Sequence, residues 1–300
     1  MKRKIYLFNQ VSKATNYGIG RYIEQIVNLV KNTDMILTIV ELYSKNAKEV
    51  SVTKERYGNR IAIPFVSTSS SFHTEKADGR YARNVAYLLK EYIPDNEDCL
   101  FHLNYMESEH LPIELKKQFK AKILLTVHYT NWSFSLLGDK VRLRKIVNAN
   151  KEESTESDAE FIRKSVEKDR QIIEQCDRIL CIAQHSYNNV REIYHADKSK
   201  LVLVYNGLED GYQKLSPTRI QRLKKQYYIR PDEKIILFAG RLDEVKAVSY
   251  LIKSFQLLLQ DRDDIRLIIA GDGDYTQLFP ATKEIWTKVT FTGYIQKKEL

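Results

Sequence analysis

Apolar residues along this chain fall into two alternating rhythms. Short continuous apolar runs occur at residues 4–8, 35–42, 61–66, 99–104, 122–128, 178–183 and 201–205. Their length and composition are those of strands buried on both faces of a parallel sheet. Between them the spacing lengthens to three and four residues. Ile19, Tyr22, Ile23, Ile26, Val27 and Val30 mark one face of a helix between the first two runs, and that makes a βαβ unit. Further helices are predicted near residues 81–92, 161–175 and 187–194. The alternation predicts an α/β fold built on a mostly parallel, doubly wound sheet.

A boundary is expected at residues 207–216, where Tyr205-Asn206-Gly207 ends a strand and a turn-rich, Lys/Arg-containing linker follows. Beyond it the same grammar restarts. An apolar strand at 235–239 is read as buried, and a helix follows with Val248, Leu251, Ile252, Phe255, Leu258 and Leu259 on one face. Strands at 265–270 and 289–292 come next. The expectation is two Rossmann-like lobes, residues 1–210 and 211–300, facing each other across a hinge.

Composition narrows the class. With 300 residues and 43% hydrophobic content, the chain has enough apolar material for two cores. Residues 1–8 are too short a basic-plus-apolar stretch for a signal peptide, and no apolar run reaches the length of a membrane-spanning helix; a cytoplasmic location is expected. The three cysteines, Cys99, Cys176 and Cys181, lie in or beside apolar runs and read as reduced core thiols. A net charge of +9 implies an acidic partner. Nucleic acid is disfavoured, since zinc-finger spacing, an aromatic RNP-like strand and long basic runs are all missing. The patch Lys140, Arg142, Arg144 and Lys145 lies in a charge-dense stretch, residues 138–177, that is expected to be helical. A solvated helix face accounts for it, with peripheral docking on the inner face of a membrane as the alternative.

The most informative chemistry lies in residues 238–247, Phe-Ala-Gly-Arg-Leu-Asp-Glu-Val-Lys-Ala. Gly240 turns the chain after a strand, Arg241 stands at the strand's carboxyl end, where open α/β sheets bind ligands, and Lys246 stands where a helix begins. The helix dipole and free N–H groups there favour an anion. Arg supplies a rigid fork for two phosphate oxygens and Lys a mobile point charge. A solvated turn is the bland reading of such a pair. The histidines His73, His102, His110, His185 and His195 show no ligand spacing with a carboxylate or thiol, so no metal site is expected. Asp272-Gly273-Asp274 and Asp261-Arg262-Asp263 imitate a metal-binding D-x-D but sit late in the chain.

In order along the chain, these motifs resemble those of the retaining glycosyltransferases of the GT-B fold, specifically glycosyltransferase family 4. Gly18-Ile19-Gly20-Arg21-Tyr22 resembles the family's first glycine loop, Thr126-Val127-His128 its T-x-H strand end, and Asp177-Arg178-Ile179 through Ser186 its D-x-[IV]…S segment. Asn206-Gly207 resembles the N-G before the hinge, the 238–246 segment the G-R-L…K diphosphate site, Ala270-Gly271-Asp272-Gly273 the G-D-G turn, and Phe291-Thr292-Gly293 the F-x-G strand end. The resemblance implies transfer of a sugar, with retained configuration, from a nucleotide diphosphate sugar to a glycan or glycolipid acceptor, with no cofactor or metal. Arg241, Lys246, Gly240 and Gly271 would hold the donor, Gly18 and Gly20 would approach it from the first lobe, and His128 would face the sugar. A packed histidine is the other reading of His128, and a tight strand-to-helix turn the other reading of the two glycines.

The chain also departs from that pattern. Tyr17 stands where a first glycine often lies, Tyr129 where an Asp often follows the histidine, and Ala247 where a glycine usually follows the lysine. The family's E-x7-E pair has no counterpart before residue 300. The second lobe is therefore expected to be incomplete, with an exposed apolar edge and face. A sugar-nucleotide epimerase of the same fold and an inactive nucleotide-binding fragment are the competing functions.

Overall fold

The computed structural model describes residues 3–10, 18–45, 47–64, 75–94, 99–104, 108–149, 158–207 and 213–295. Tyr17, His73 and the middle of the charge-dense stretch lie outside them. The chain divides into two compact units, Met1–Glu209 and Asp210–Leu300.

The first unit runs β1 (Lys4–Gln10), α1 (Gly18–Lys31), β2 (Ile36–Ser44), β3 (Ser51–Glu55), β4 (Gly58–Pro64), α2 (Glu75–Leu89), β5 (Cys99–Leu103) and α3 (His110–Gln118). It continues with β6 (Lys122–Val127), α4 (Asn131–Ser135), α5 (Lys140–Asn148), α6 (Ala159–Gln175), β7 (Arg178–Cys181), α7 (Gln184–Glu192) and β8 (Leu201–Leu203). Its eight strands are ordered β3-β4-β2-β1-β5-β6-β7-β8. All neighbours are parallel except β3 and β4, an antiparallel hairpin. The order reverses between β1 and β5. That switch point opens a crevice at the strands' carboxyl ends, the ligand-binding position of open α/β sheets.

Helices cover both faces of this sheet. On one, α1 packs Ile19, Ile23 and Val30 against Leu7, Leu37 and Ile39. On the other, Phe8, Val40 and Phe101 join a larger core with Val85 and Leu89 of α2, Leu115 of α3 and Val166 of α6. A buried polar chain anchors α6: the Trp132 indole N–H donates to the Tyr194 hydroxyl at 3.1 Å, which donates to Asp169 Oδ2 at 2.7 Å. Burial raises the Asp169 carboxyl to about 7 against the opposing effect of that bond.

The second unit contains α8 (Pro217–Gln226), β9 (Lys234–Ala239), α9 (Val248–Asp261), β10 (Ile265–Ala270), α10 (Leu278–Ala281) and β11 (Val289–Gly293). Its parallel sheet has the order β11-β10-β9. Val248, Ile252 and Phe255 of α9 pack on Leu267 and Ile269 of β10, with Ile236 and Phe238 of β9 half-buried against them. The strand expected to be buried at 235–239 is instead an edge strand: Ile235 and Leu237, on the face turned away from α9, are 45% and 54% exposed. The apolar edge and face anticipated from the sequence are present. Leu258, assigned to the apolar face of α9, is also exposed, because it falls beyond the arc that three strands cover.

At the opposite end of these strands lies a buried ion cluster. Glu233 accepts Arg266 Nε at 2.8 Å and Nη2 at 3.3 Å, Lys288 Nζ at 3.3 Å, and the Arg230 backbone N–H at 2.8 Å. Burial opposes its ionisation, yet these bonds outweigh burial and hold the carboxyl down at about 2. The cluster stitches the amino ends of β9, β10 and β11 together.

Substituting Glu233→Gln leaves Arg266 buried without its countercharge. It is expected to destabilise the second unit by about 3 kcal/mol, read as faster amide hydrogen exchange in β10. In the unsubstituted chain the Glu233 contribution is present above pH ~4.5 and is lost as pH falls toward ~2. The variant lacks that acid limb.

Candidate functional site

Four of the positions singled out from the sequence, Gly240, Arg241, Lys246 and Gly271, gather at the carboxyl end of the second-unit sheet. β9 ends at Ala239, Gly240 donates its N–H to the Ala270 carbonyl at 2.9 Å, and Leu242 donates to the Asp272 carbonyl at 2.9 Å. Arg241 lies between these anchors, at the strand end. Its guanidinium is 2.9 Å from Asp243, a half-buried pair in contact with solvent. Such a pair contributes little stability. It orients the fork without removing it from reach of an anion.

Asp243 caps the next turn, accepting from the Lys246 N–H at 3.2 Å. Residues Glu244–Lys246 form a single 3-10 turn, and Ala247 then adopts φ 54° and ψ 34° before α9 starts at Val248. Lys246 is exposed on that turn, immediately before the helix, rather than in its first turn. Ala247 offers no side-chain cap. The position that usually carries glycine in similar sequences is a left-handed one here, where a Cβ is strained by roughly 1 kcal/mol.

Gly271 and Gly273 brace the same end. Gly271 sits at φ 150°, and a Cβ there would meet the Gly240 carbonyl oxygen at 1.7 Å; Gly273, at φ 154°, has the Leu242 oxygen 2.5 Å from its ideal Cβ. Gly271 thus lets the turn after β10 lie against the turn after β9. The carboxylates of the D-x-D imitation have local duties: Asp272 accepts from the Gly273 N–H at 2.9 Å and Asp274 from the Thr276 N–H at 2.8 Å. Among the described residues no group of three His, Cys, Asp or Glu side chains has metal-holding geometry.

In the first unit, His128 directly follows β6. Its Nε2–H donates to Asn104 Oδ1 at 3.3 Å, and the Asn104 amide N–H donates in turn to the Phe8 carbonyl at 3.4 Å. That chain sets the Asn104 amide and so the imidazole tautomer, leaving Nδ1 an acceptor. The Tyr22 ring meets His128 edge to face at 4.7 Å. The Tyr22 hydroxyl and His102 Nε2 both bond the Thr126 hydroxyl, at 3.1 and 2.7 Å. Burial lowers His128 to about 4; burial, and then the neighbouring His128, lower His102 to about 4. Both imidazoles are neutral near neutrality. Burial raises the Tyr22 phenol, against the Thr126 bond.

Sequence reasoning singled out His128 and passed over Tyr22, His102 and Asn104. The signal lay in two i, i+2 pairs, His102/Asn104 and Thr126/His128, which a period of two places on one face of adjacent strands. Gly18 and Gly20 are a correction. They lie in the first turn of α1 rather than in a loop, because the burial of Ile19 and Ile23 carries the helix back through them. A Cβ at Gly18 would meet nothing within 4 Å.

The comparisons with known proteins agree with this architecture. Residues 219–300 match the family model of glycosyl transferases group 1. A D-inositol 3-phosphate glycosyltransferase of Kineococcus radiotolerans is 24% identical over 245 residues, covering 74% of this chain and 54% of that protein. The chain spans about half or less of the length of the curated relatives it matches, with 32%, 21% and 54% covered in three of them. In fold, sucrose-phosphate synthase of Thermosynechococcus elongatus superposes with a TM-score of 0.68 at 15% identity, covering 98% of this chain and 71% of that one. Anabaena HepE, solved with UDP and glucose, gives a TM-score of 0.64 at 14% identity, covering 99% and 70%. Fold and motifs together define a GT-B type chain. Within it, the match to the group 1 model is confined to residues 219–300.

Two outcomes check this geometry. Ala247→Gly is expected to stabilise the second unit by about 0.5 kcal/mol, measured by urea denaturation, since relief of the left-handed strain exceeds the added chain entropy. The neutral His102 contributes stability that is fully present above pH ~6.5 and falls away toward pH ~4, by up to about 3 kcal/mol. His102→Gln should make that limb of the stability–pH curve shallower, leaving the part that His128 contributes.

Proposed function

We propose that this chain acts in the transfer of a sugar from a nucleotide diphosphate sugar to a glycan or glycolipid acceptor, with retained configuration. The observation that carries the reading is the Arg241–Lys246 turn at the carboxyl end of β9, inside the stretch matched to group 1 glycosyltransferases. The nucleotide sugar is supported by the HepE structure solved with UDP-glucose.

In the reaction, the bond between the anomeric carbon and the diphosphate oxygen breaks and the electron pair leaves with the diphosphate. The acceptor hydroxyl oxygen bonds the anomeric carbon and releases its proton. Negative charge on the diphosphate therefore grows toward the transition state. Cations fixed beforehand stabilise that state more than the ground state. Arg241, oriented by Asp243, grips two oxygens, and Lys246 adds a point charge beside the α9 N-terminus. Neutral His128, with Nδ1 as acceptor, is suited to a sugar hydroxyl and adds no charge of its own. The reading needs no metal.

Thermal-shift titration with UDP, GDP, ADP and their sugars tests the proposal. One nucleotide series is expected to raise the melting temperature of the chain, undiminished by a chelator. Arg241→Ala and Lys246→Ala should each weaken that binding by roughly tenfold or more, as loss of a charge-assisted hydrogen bond does. Equal shifts in the chain and both variants would remove the diphosphate from this turn.

A further inference from the structure

The α4–α5 helix pair of the first unit is apolar on two sides. Inward, Trp132, Leu136, Leu143 and Ile146 are buried in the larger core. Outward, around the turn that joins the helices, Phe134, Leu137 and Val141 are 41%, 64% and 64% exposed. Single exposed apolar residues need no explanation, whereas several gathered on one turn mark a contact surface. Leu137 is the most informative of them. It adopts φ 49°, and Gly138 after it φ 81°. A left-handed backbone is unfavourable for leucine, and contact with water is unfavourable for its side chain, so neither folding nor solubility accounts for a leucine there. The turn is held by hydrogen bonds: the Gly138 N–H donates to the Ser133 carbonyl and the Asp139 N–H to the Leu136 carbonyl, each at 2.9 Å. The Asp139 carboxylate accepts the Val141 and Arg142 N–H groups at 2.9 and 3.0 Å. Leu137 is thereby fixed at the tip, facing out.

Cations surround this tip. Lys140, Arg142, Arg144 and Lys145 lie on α5, which carries no acidic residue, and the adjoining Asp139 carboxylate is engaged in capping. The helical period sets Val141 opposite the buried Leu143 and Ile146, with Arg144 and Lys145 beside it one turn on. Arg144 meets Glu192 only at 4.0 Å, with both side chains open to solvent, a pair that exchanges readily. An anionic bilayer offers both complements in one place, lipid phosphates for the cations and hydrocarbon just beneath them for the apolar tip. Long basic side chains keep their heads in the phosphate layer while their stems lie along apolar surface. Nucleic acid supplies the charge without the hydrocarbon, and a protein partner needs a hollow shaped to the tip. Among the described residues no helix is long and apolar enough to cross a membrane, so this contact is made from the surface.

We propose that the α4–α5 turn is a docking surface for anionic membranes. Phe134, Leu137 and Val141 enter the headgroup boundary, and Lys140, Arg144 and Lys145 sit among the lipid phosphates. Because α4 begins at Asn131, just past His128, docking holds the carboxyl end of the first sheet beside the bilayer.

Flotation of the 300-residue chain with vesicles of equal parts phosphatidylcholine and phosphatidylglycerol, against vesicles of phosphatidylcholine alone, tests the docking surface. Binding to the anionic vesicles is expected to be at least roughly tenfold tighter and to fall as salt rises. Arg144→Gln with Lys145→Gln should weaken it by roughly tenfold. Leu137→Asn is the sharper variant, because asparagine tolerates a left-handed backbone: vesicle binding should drop several-fold at unchanged charge, with the melting temperature kept or raised. Arg222→Gln with Lys225→Gln, at exposed positions of the other basic helix, α8, removes the same charge and should leave binding nearly unchanged. Indifference to Leu137→Asn, or loss through the α8 changes, would overturn the proposal. So would equal binding to both kinds of vesicle or to neither, which would leave the tip to a protein partner. Tighter binding to duplex DNA than to the anionic vesicles, weakened by Arg144→Gln with Lys145→Gln but not by Leu137→Asn, would assign the patch to nucleic acid instead.

Discussion

Burial of parallel strands on both faces is the constraint from which the rest of this structure follows. β10 is buried along its whole length, and β1, β5 and β6 carry mostly buried residues. A polar side chain inside such a strand must find a partner at once. His102, Thr126 and Tyr22 satisfy one another in the first unit, and Arg266 is matched by Glu233 in the second. Side chains with chemistry to offer are left with the strand ends. That is where Arg241, His128 and Asn104 are found.

The two units treat charge at their strand ends differently. The strand-end cluster of the first is kept neutral by burial, which holds both imidazoles unprotonated. The turn after β9 instead keeps its cations in contact with water. In the proposed reaction this division fits the substrate: a sugar ring needs hydrogen bonds without net charge, and a departing diphosphate needs positive charge.

Much of the architecture was legible because parallel strands and amphipathic helices write different periods. The runs at 4–8, 99–104 and 122–128 fall on β1, β5 and β6, and the apolar stripe from Ile19 to Val30 falls on α1. The β3–β4 hairpin escaped notice because β3, Ser-Val-Thr-Lys-Glu, is an exposed edge strand with one aliphatic residue. α8 escaped for a similar reason: none of its residues is buried, so it leaves no apolar stripe, although Ser216 and Pro217 mark its start. The exposure of β9 could not be read from its composition, since an apolar run records what a strand can bury and not whether a neighbour covers it. At the site, Arg241 and Lys246 were visible as a local motif. The His102, Asn104, Thr126 and Tyr22 cluster depends on strand pairing across long sequence separations, which no short window contains.

In the second unit the ion cluster around Glu233 clamps one end of the three strands, and the Arg241–Lys246 turn occupies the other. The length of β10 lies between them. Under the proposed function, substitutions that retune recognition at the carboxyl end can accumulate without touching the rivet that keeps the strands in register. A scaffold divided in this way lets selection change what is gripped while inheriting how the grip is supported.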